Sequence, residues 1–307
     1  MHLSTDLGGV IAMKLQYMRE FLDLAVSGNF TVTAARFFIT QSTLSRHIQS
    51  LEQGIGCKLL RTSSHGLSLT EMGEQCVSSF SHILQEYDAI AAKASVLAGN
   101  PQGTLRLAYV PLHAEEYALA GFLDHFLSRY PGIDLQIGSY RPDVILTLLH
   151  ENLIDIAELF WLEEQPLPDF TCHRIGHGHL TAALCDSHPA AGSSSLTLAE
   201  LLSYPLVRLR NDPYTNRQID SLLQSADFRF ARTAEVHDIS LSTAAIRKEN
   251  AVLLAFQGYQ FPPDILRIPV RLPQKPPAIG FLTPGNRHRP LADLFLEEAL
   301  LWFASDC

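Results

Sequence analysis

Hydrophobic and polar positions alternate along this chain in two different rhythms. Up to Ala98 the period is helical. Leu15, Met18, Leu22 and Ala25 recur at spacings of three and four with Phe21 beside them, which predicts a helix over Lys14–Val26. Ser27-Gly28-Asn29-Phe30 ends it. Thr31 then stands as the cap of a second helix, Val32–Phe38, with Ala34, Ala35 and Phe38 inward. Thr40 caps a third, Gln41–Gln53, whose apolar face is Leu44, Ile48 and Leu51 and which Gly54 and Gly56 close. Leu59–Thr70 has apolar ends around a Ser/His/Gly tip and predicts a short hairpin. A long helix follows from Thr70 to Ala98. Its stripe of Cys76, Val77, Phe80, Ile83, Leu84, Tyr87, Ile90, Ala91 and Ala94 is close to a heptad repeat. A head this small cannot bury both faces of that stripe, so a partner helix is implied. Ala98–Gly103 has the composition of a linker.

Past Gly103 the rhythm changes. A strand-like Thr104–Val110 precedes a helix-like Glu115–Arg129. A strand-like Asp134–Ser139, a helix-like Asp143–Glu151 and a strand-like Asp155–Phe160 follow. Alternating strands and helices predict an α/β unit with a largely parallel sheet. Trp161 with Glu163 and Glu164 reads as a polar surface loop.

The third helix carries the chemistry. Off its apolar face lie Gln41, Ser42, Thr43, Ser45, Arg46 and Gln49, and none is acidic. Gln and Arg offer paired hydrogen-bonding groups that match adenine and guanine edges, and Ser and Thr contact bases or phosphates. A helix, a short turn and a second helix with its polar groups in the first two turns is the helix-turn-helix arrangement. A generic amphipathic helix with a solvated face shows the same pattern. The hairpin and long helix behind it tip the reading toward DNA.

Charge first argues the other way. The chain of 307 residues carries a net −9. Its distribution changes the picture, because residues 13–73 hold six Lys/Arg against four acids, +2, while residues 1–12 carry −1 and the remainder −10. A mildly basic head on an acidic body fits a nucleic-acid reader joined to a part that avoids DNA. The length predicts two or three compact units. The five cysteines, Cys57, Cys76, Cys172, Cys185 and Cys307, are scattered without a C-x-x-C, which disfavours a disulfide framework or a cysteine zinc site. The first twelve residues lack a basic start and a long apolar run, and no stretch reaches membrane-spanning length, so a cytoplasmic setting is expected.

The Phe30–Leu60 run and Leu67–Gly73 together resemble the head of LysR-type transcriptional regulators. Gly103–Val110, Phe126–Ile137, Leu148–Phe160 and His188–Pro189 resemble the family's body. The resemblance covers residues 13–303, and it makes residues 1–12 an N-terminal extension or a mis-assigned start. It implies a winged helix-turn-helix over 13–70 with the motif at 30–49, and a linker or dimerisation helix and hinge over 71–102. It also implies a two-lobed periplasmic-binding-protein-like α/β effector domain. Lobe I would be 103–178 plus 267–303 and lobe II 179–266, with His179–Cys185 opening the second lobe and Leu266–Val270 returning to the first. The implied partners are double-stranded promoter DNA, a second copy through the linker helix, further copies in a homotetramer, a small-molecule effector in the interlobe cleft, and RNA polymerase. No cofactor, metal, membrane or enzymatic activity is implied.

By this resemblance the third helix would enter the major groove with Gln41, Ser42, Ser45, Arg46 and Gln49 at bases and phosphates, Thr43 would bind DNA with them, and Thr31, Arg36 and His65 would meet phosphates. The candidate cleft set is Pro111, Leu112, His113, Ser139, Tyr140, Phe160, Arg208 and His237. Some positions depart from the family pattern. Thr62 stands where the wing usually has Arg, and His65 where Arg or Lys is common, which implies weaker, less salt-dependent binding per head. Pro111-Leu112-His113 replaces a Ser or Thr after the first body strand, with Glu115 and Glu116 behind it, which disfavours a simple carboxylate effector at that helix. Arg247–Val252 replaces a Gly-rich turn.

Other chemistries have weaker signals. A redox or metal sensor on the same scaffold would use Cys172 with Cys185, or His173, His177, His179 and His188, but no carboxylate or Cys partner is fixed by spacing. Gly192–Thr197 has no nucleophile elbow, and there is no dinucleotide or phosphate loop. A solute-binding or enzymatic α/β protein with a vestigial head is the remaining alternative.

Overall fold

The computed structural model describes residues 7–63, 66–110, 119–163, 165, 167–256, 261–273, 275–285 and 289–304. They fall into two compact units that divide after Ala91, a head and a body.

The head opens with α1 (Leu7–Ser27), α2 (Phe30–Arg36) and α3 (Gln41–Ile55). Helix α1 begins at Leu7 rather than Lys14, because Val10, Ile11 and Ala12 continue it without a breaking proline. It therefore runs through part of the expected extension. Helix α2 also starts earlier than Thr31 suggested. Gly28 takes a φ of +61°, and Asn29 caps the helix by accepting the backbone N–H groups of Thr31 at 2.8 Å and Val32 at 3.2 Å. The shifted start turns Thr33 and Ala34 inward and leaves Ala35 exposed. Phe38, expected inside, is 96 % exposed. Its φ of +54° takes it off the helical path in the turn before α3. Thr40 caps α3 as expected, accepting the Thr43 N–H at 3.1 Å, and Gly56 ends it at φ +88°.

The wing is β1 (Leu60–Ser63) paired antiparallel with β2 (Gly66–Leu69). Buried Glu52 ties it to α3, accepting the Leu59 N–H at 2.9 Å and the Lys58 ammonium at 2.6 Å. Thr70 accepts the Gly73 N–H at 3.0 Å and donates to the Lys58 carbonyl at 2.8 Å, which starts α4 (Glu71–Leu97) against the wing. Phe21, Leu24, Leu44, Ile48, Leu51, Leu59, Cys76 and Phe80 form the head's core.

The body runs β3 (Gly103–Tyr109), α5 (Leu119–Arg129), β4 (Ile133–Ser139), α6 (Pro142–His150), β5 (Ile156–Trp161) and β6 (Phe170–His177). It crosses to β7 (Leu180–Cys185), β8 (Leu196–Thr197), α7 (Leu198–Leu201), β9 (Leu206–Leu209), α8 (Pro213–Ser225), β10 (Thr233–Val236), α9 (Ile239–Glu249), β11 (Leu253–Phe256) and β12 (Ile265–Arg271). It returns through β13 (Ala278–Pro284) and α10 (Pro290–Ala304). The first sheet has the order β4-β3-β5-β13-β6, with β3 parallel to β4 and β5 and β13 antiparallel to its neighbours. The second has the order β11-β7-β12-β8, beside a parallel β9–β10 pair.

Two expectations change here. Leu266–Val270 does not return to the first lobe: Leu266 lies opposite Leu184 and Ile268 opposite Ala182 in the second sheet. The return is β13, so the last segment of lobe I begins near Ala278 rather than at residue 267. A strand with Ile268 and Val270 buried and Arg267 exposed fits any half-buried position, and its pattern does not name its neighbour. Trp161 is buried at the end of β5 and is not part of a surface loop.

Candidate nucleic-acid interface and effector cleft

On α3 the first turn carries no acid. Gln41, Ser42, Ser45, Arg46 and Gln49 recur at i, i+1, i+4, i+5 and i+8, which is one face of a helix. Gln41, Ser42, Arg46 and Gln49 are exposed and Ser45 is half-buried. Opposite them Leu44, Ile48 and Leu51 are buried. Thr43 sits on the flank, where its hydroxyl lies 2.8 Å from that of Thr40. The Thr40 hydroxyl also lies 2.9 Å from Ser42, so part of the hydroxyl set organises the cap.

The head's cations are unequal. Arg36 donates to Asp23 at 2.7 Å, Arg19 pairs with Asp88 at 2.5 Å and Lys58 with Glu52 at 2.6 Å. Asp23 also accepts the Thr33 hydroxyl at 2.6 Å, so it knits α1 to α2. Of the head's arginines, Arg46 and Arg61 have no ion pair among the described residues. Arg61 donates to the Ser68 hydroxyl at 3.0 Å across the wing. Thr31 is exposed in the first turn of α2. His65 lies outside the described residues.

In the body, three loops at the C-terminal ends of parallel strands meet. Ser139 ends β4, and the Tyr140 ring folds over Gly138, where a side chain would collide with it. Arg141 donates to the Asn211 carbonyl at 2.6 Å, and the Asn211 N–H reaches the His237 carbonyl at 3.1 Å. Ligands in α/β folds sit at such strand ends. Ser139, Tyr140 and His237 of the candidate set therefore gather there. Phe160 and Arg208 do not. The Phe160 ring is buried against Tyr214 and Phe256, with centroids 5.4 and 4.3 Å away. Arg208 is held by both oxygens of Asp220, Nη2 to Oδ2 at 2.7 Å. Pro111, Leu112 and His113 lie outside the described residues.

Helix α8 fastens the two lobes beside these loops. Tyr214 donates to the Phe160 carbonyl at 2.6 Å, and Gln218 accepts the Leu162 N–H at 3.1 Å. Burial, with the Cys172 charge as a lesser cause, raises the Tyr214 phenol, so it stays a donor.

The sensor residues do not form a set. Among the described residues no three of His, Cys, Asp and Glu converge as metal ligands. Burial raises the Cys172 thiol, which lowers its thiolate fraction. His188 is buried, accepting the Ala190 N–H on Nδ1 at 3.0 Å and packing on Tyr204. No helix among the described residues is long and apolar enough to cross a membrane.

Two family profiles match the chain. The bacterial regulatory helix-turn-helix protein, lysR family, covers residues 15–74, and the LysR substrate binding domain covers residues 98–304. The chain belongs to the LysR family. Among LysR-family relatives, the uncharacterized HTH-type transcriptional regulator YnfL of Escherichia coli K12 is 32% identical over 64% of this chain. BudR of Raoultella terrigena, an HTH-type transcriptional regulator, is 33% identical over 62%. The chain spans 65% of the length of each. Solved structures of similar fold include CbnR, at TM-score 0.63 and 20% identity over 93% of this chain and 97% of that one. CbnR has also been solved with its target DNA, and that chain matches with the same TM-score of 0.63 and 20% identity. Full-length OxyR from Pseudomonas aeruginosa has TM-score 0.65 and 17% identity over 98% of this chain and 95% of that one.

Within this LysR frame, several residues that position the two sites differ in how far the sequence alone marks them. Asn29 was legible, since Gly-Asn before a helical run is a capping signal. Asp212-Pro213 likewise marks the start of α8. Arg141, Asn211, Tyr214 and Gln218 had no local signal, because their partners lie in the other lobe.

Proposed function

We propose that this LysR-family chain is a DNA-binding transcriptional regulator whose third helix reads the major groove. The observation that carries it is the acid-free polar face of α3, with Arg46 exposed and without an ion pair among the described residues. Its relatives are named as transcriptional regulators and CbnR binds its target DNA, which supports the reading. Gln41, Ser42, Ser45, Arg46 and Gln49 face the bases, and Thr31, Thr43 and His65 serve the backbone, while Asp23 holds Arg36 back from it. The chain acts by binding and not by catalysis, in the cytoplasm, where promoter DNA is found.

Helix α4 supplies the dimer. Ile83, Tyr87, Ile90, Ala94 and Leu97 follow one another at spacings of four and three, and all are exposed. Ile90 is 70 % and Leu97 79 % exposed. This is a heptad seam that continues the stripe of the buried Cys76 and Phe80 along the helix, past the part that the head's core covers. Further pairing through the body would give a tetramer. A small effector at the Ser139–Arg141, Asn211 and His237 loops would shift the spacing of the heads, through differential affinity for two quaternary states. The test is selection from a randomised duplex pool followed by footprinting. Paired half-sites are expected. A pool that yields no enriched sequence contradicts the reading.

A further inference from the structure

Glu20 is an acid inside the apolar core of the head. It is 1 % exposed, beside Phe21 and Leu24 on α1. A buried carboxylate needs a partner that can meet its charge. That partner is His47 of α3, whose Nδ1 lies 2.7 Å from Glu20 Oε2. Tyr17, one turn earlier on α1, stacks on the imidazole with ring centroids 4.1 Å apart and planes at 23°. Gln16 adds a donor to Glu20 Oε1 at 3.4 Å. The imidazole is thus held at its edge and on its face by a helix other than its own.

Apart from this bond, α1 and α3 share an apolar cluster, to which α1 gives Phe21 and Leu24 and α3 gives Leu44, Ile48 and Leu51. Apolar packing keeps two helices together but is not directional. A short hydrogen bond to a carboxylate is directional. His47 follows Arg46 directly, about a quarter turn around the helix. Fixing the imidazole against Glu20 therefore fixes the direction in which Arg46, Ser45 and Gln49 face.

We propose that His47 is the positioning residue of the reading helix, with Glu20 and Tyr17 setting the rotation of α3 on α1. This rests on the DNA-reading function proposed above. His47 touches no base in this scheme. It acts through Arg46 and its neighbours on the polar face.

The test uses the full chain and the duplex that the wild type selects from a randomised pool, with a scrambled duplex as reference. His47→Leu removes the donor and keeps an apolar shape. It is expected to lose about tenfold on the selected duplex and to stay within about twofold on the scrambled one. His47→Asn keeps an N–H donor close to the position of Nδ1 and is expected to recover most of the specific binding. Tyr17→Leu leaves the Glu20 bond and removes the stacked face. It is expected to lose specificity in the same direction by less, which keeps the test valid if His47→Leu does not fold. Unchanged specific-to-scrambled ratios in the folded variants, or a His47→Asn no better than His47→Leu, overturn the positioning role alone. A wild type that selects no sequence overturns the parent reading and this inference with it.

Discussion

Single residues decide where the helices of the head begin and which way they face. Asn29 holds two N–H groups that α2 otherwise leaves without partners. Asn29→Ala is expected to cost about 1 kcal/mol in denaturant unfolding, and Asn29→Asp to retain most of the stability. An alanine variant as stable as the wild type would remove the capping role. His188 and His173 act on stability through pH. Burial lowers both below the ordinary histidine value of 6.5, opposed at His188 by a backbone hydrogen bond at Asn250 and at His173 by the nearby Asp293. Their folded forms resist protonation, so the unfolded chain binds the proton first as pH falls. Stability is therefore complete above pH 6.5 and declines as pH drops from there through the folded values. His188→Gln is expected to flatten that decline in melts from neutral to mildly acidic pH, and an unchanged slope would contradict it.

At the scale of elements, α4 divides one apolar stripe between two tasks along its length. Cys76, Phe80 and Leu84 are buried, and the seam from Ile83 to Leu97 is left exposed. Ile90→Glu is expected to shift the protein toward monomer in sedimentation without lowering the helix content of the head. An unshifted dimer would place the interface elsewhere. The elements most legible in the sequence were those whose period and caps lie within one segment. Leu44, Ile48 and Leu51 with Thr40 and Gly56 set α3, and Leu60 to Leu69 set the wing. The misplaced ones depended on distant partners. Phe38 counts as apolar in any pattern, yet its backbone conformation turns it to solvent. Leu266–Val270 alternates like a strand of either lobe, and only its pairing with β7 decides between them. The candidate site divides in the same way. The polar face of α3 follows from spacing alone, whereas Arg141 and Asn211 become neighbours only when the two lobes meet.

For the whole molecule, net charge is a poor guide to the partner. The chain carries −9, and within its head Arg36, Arg19 and Lys58 are occupied by acids of the same head. Few cations are left for phosphates, so binding at high salt should rest on base contacts and on pairing of heads. Asp23→Asn frees the Arg36 guanidinium. It is expected to raise affinity for random DNA and to steepen the salt dependence by about 0.9 per added phosphate contact, roughly two for a dimer. An unchanged salt slope would show that Arg36 does not reach the backbone. The most direct test of the central claim is an anisotropy titration of wild type and Arg46→Ala on the selected and scrambled duplexes, at two salt concentrations. A reading helix predicts that Arg46→Ala loses about 1–3 kcal/mol on the selected duplex and much less on the scrambled one. An equal loss on both would mean that Arg46 meets only phosphate and that the polar face of α3 does not read sequence.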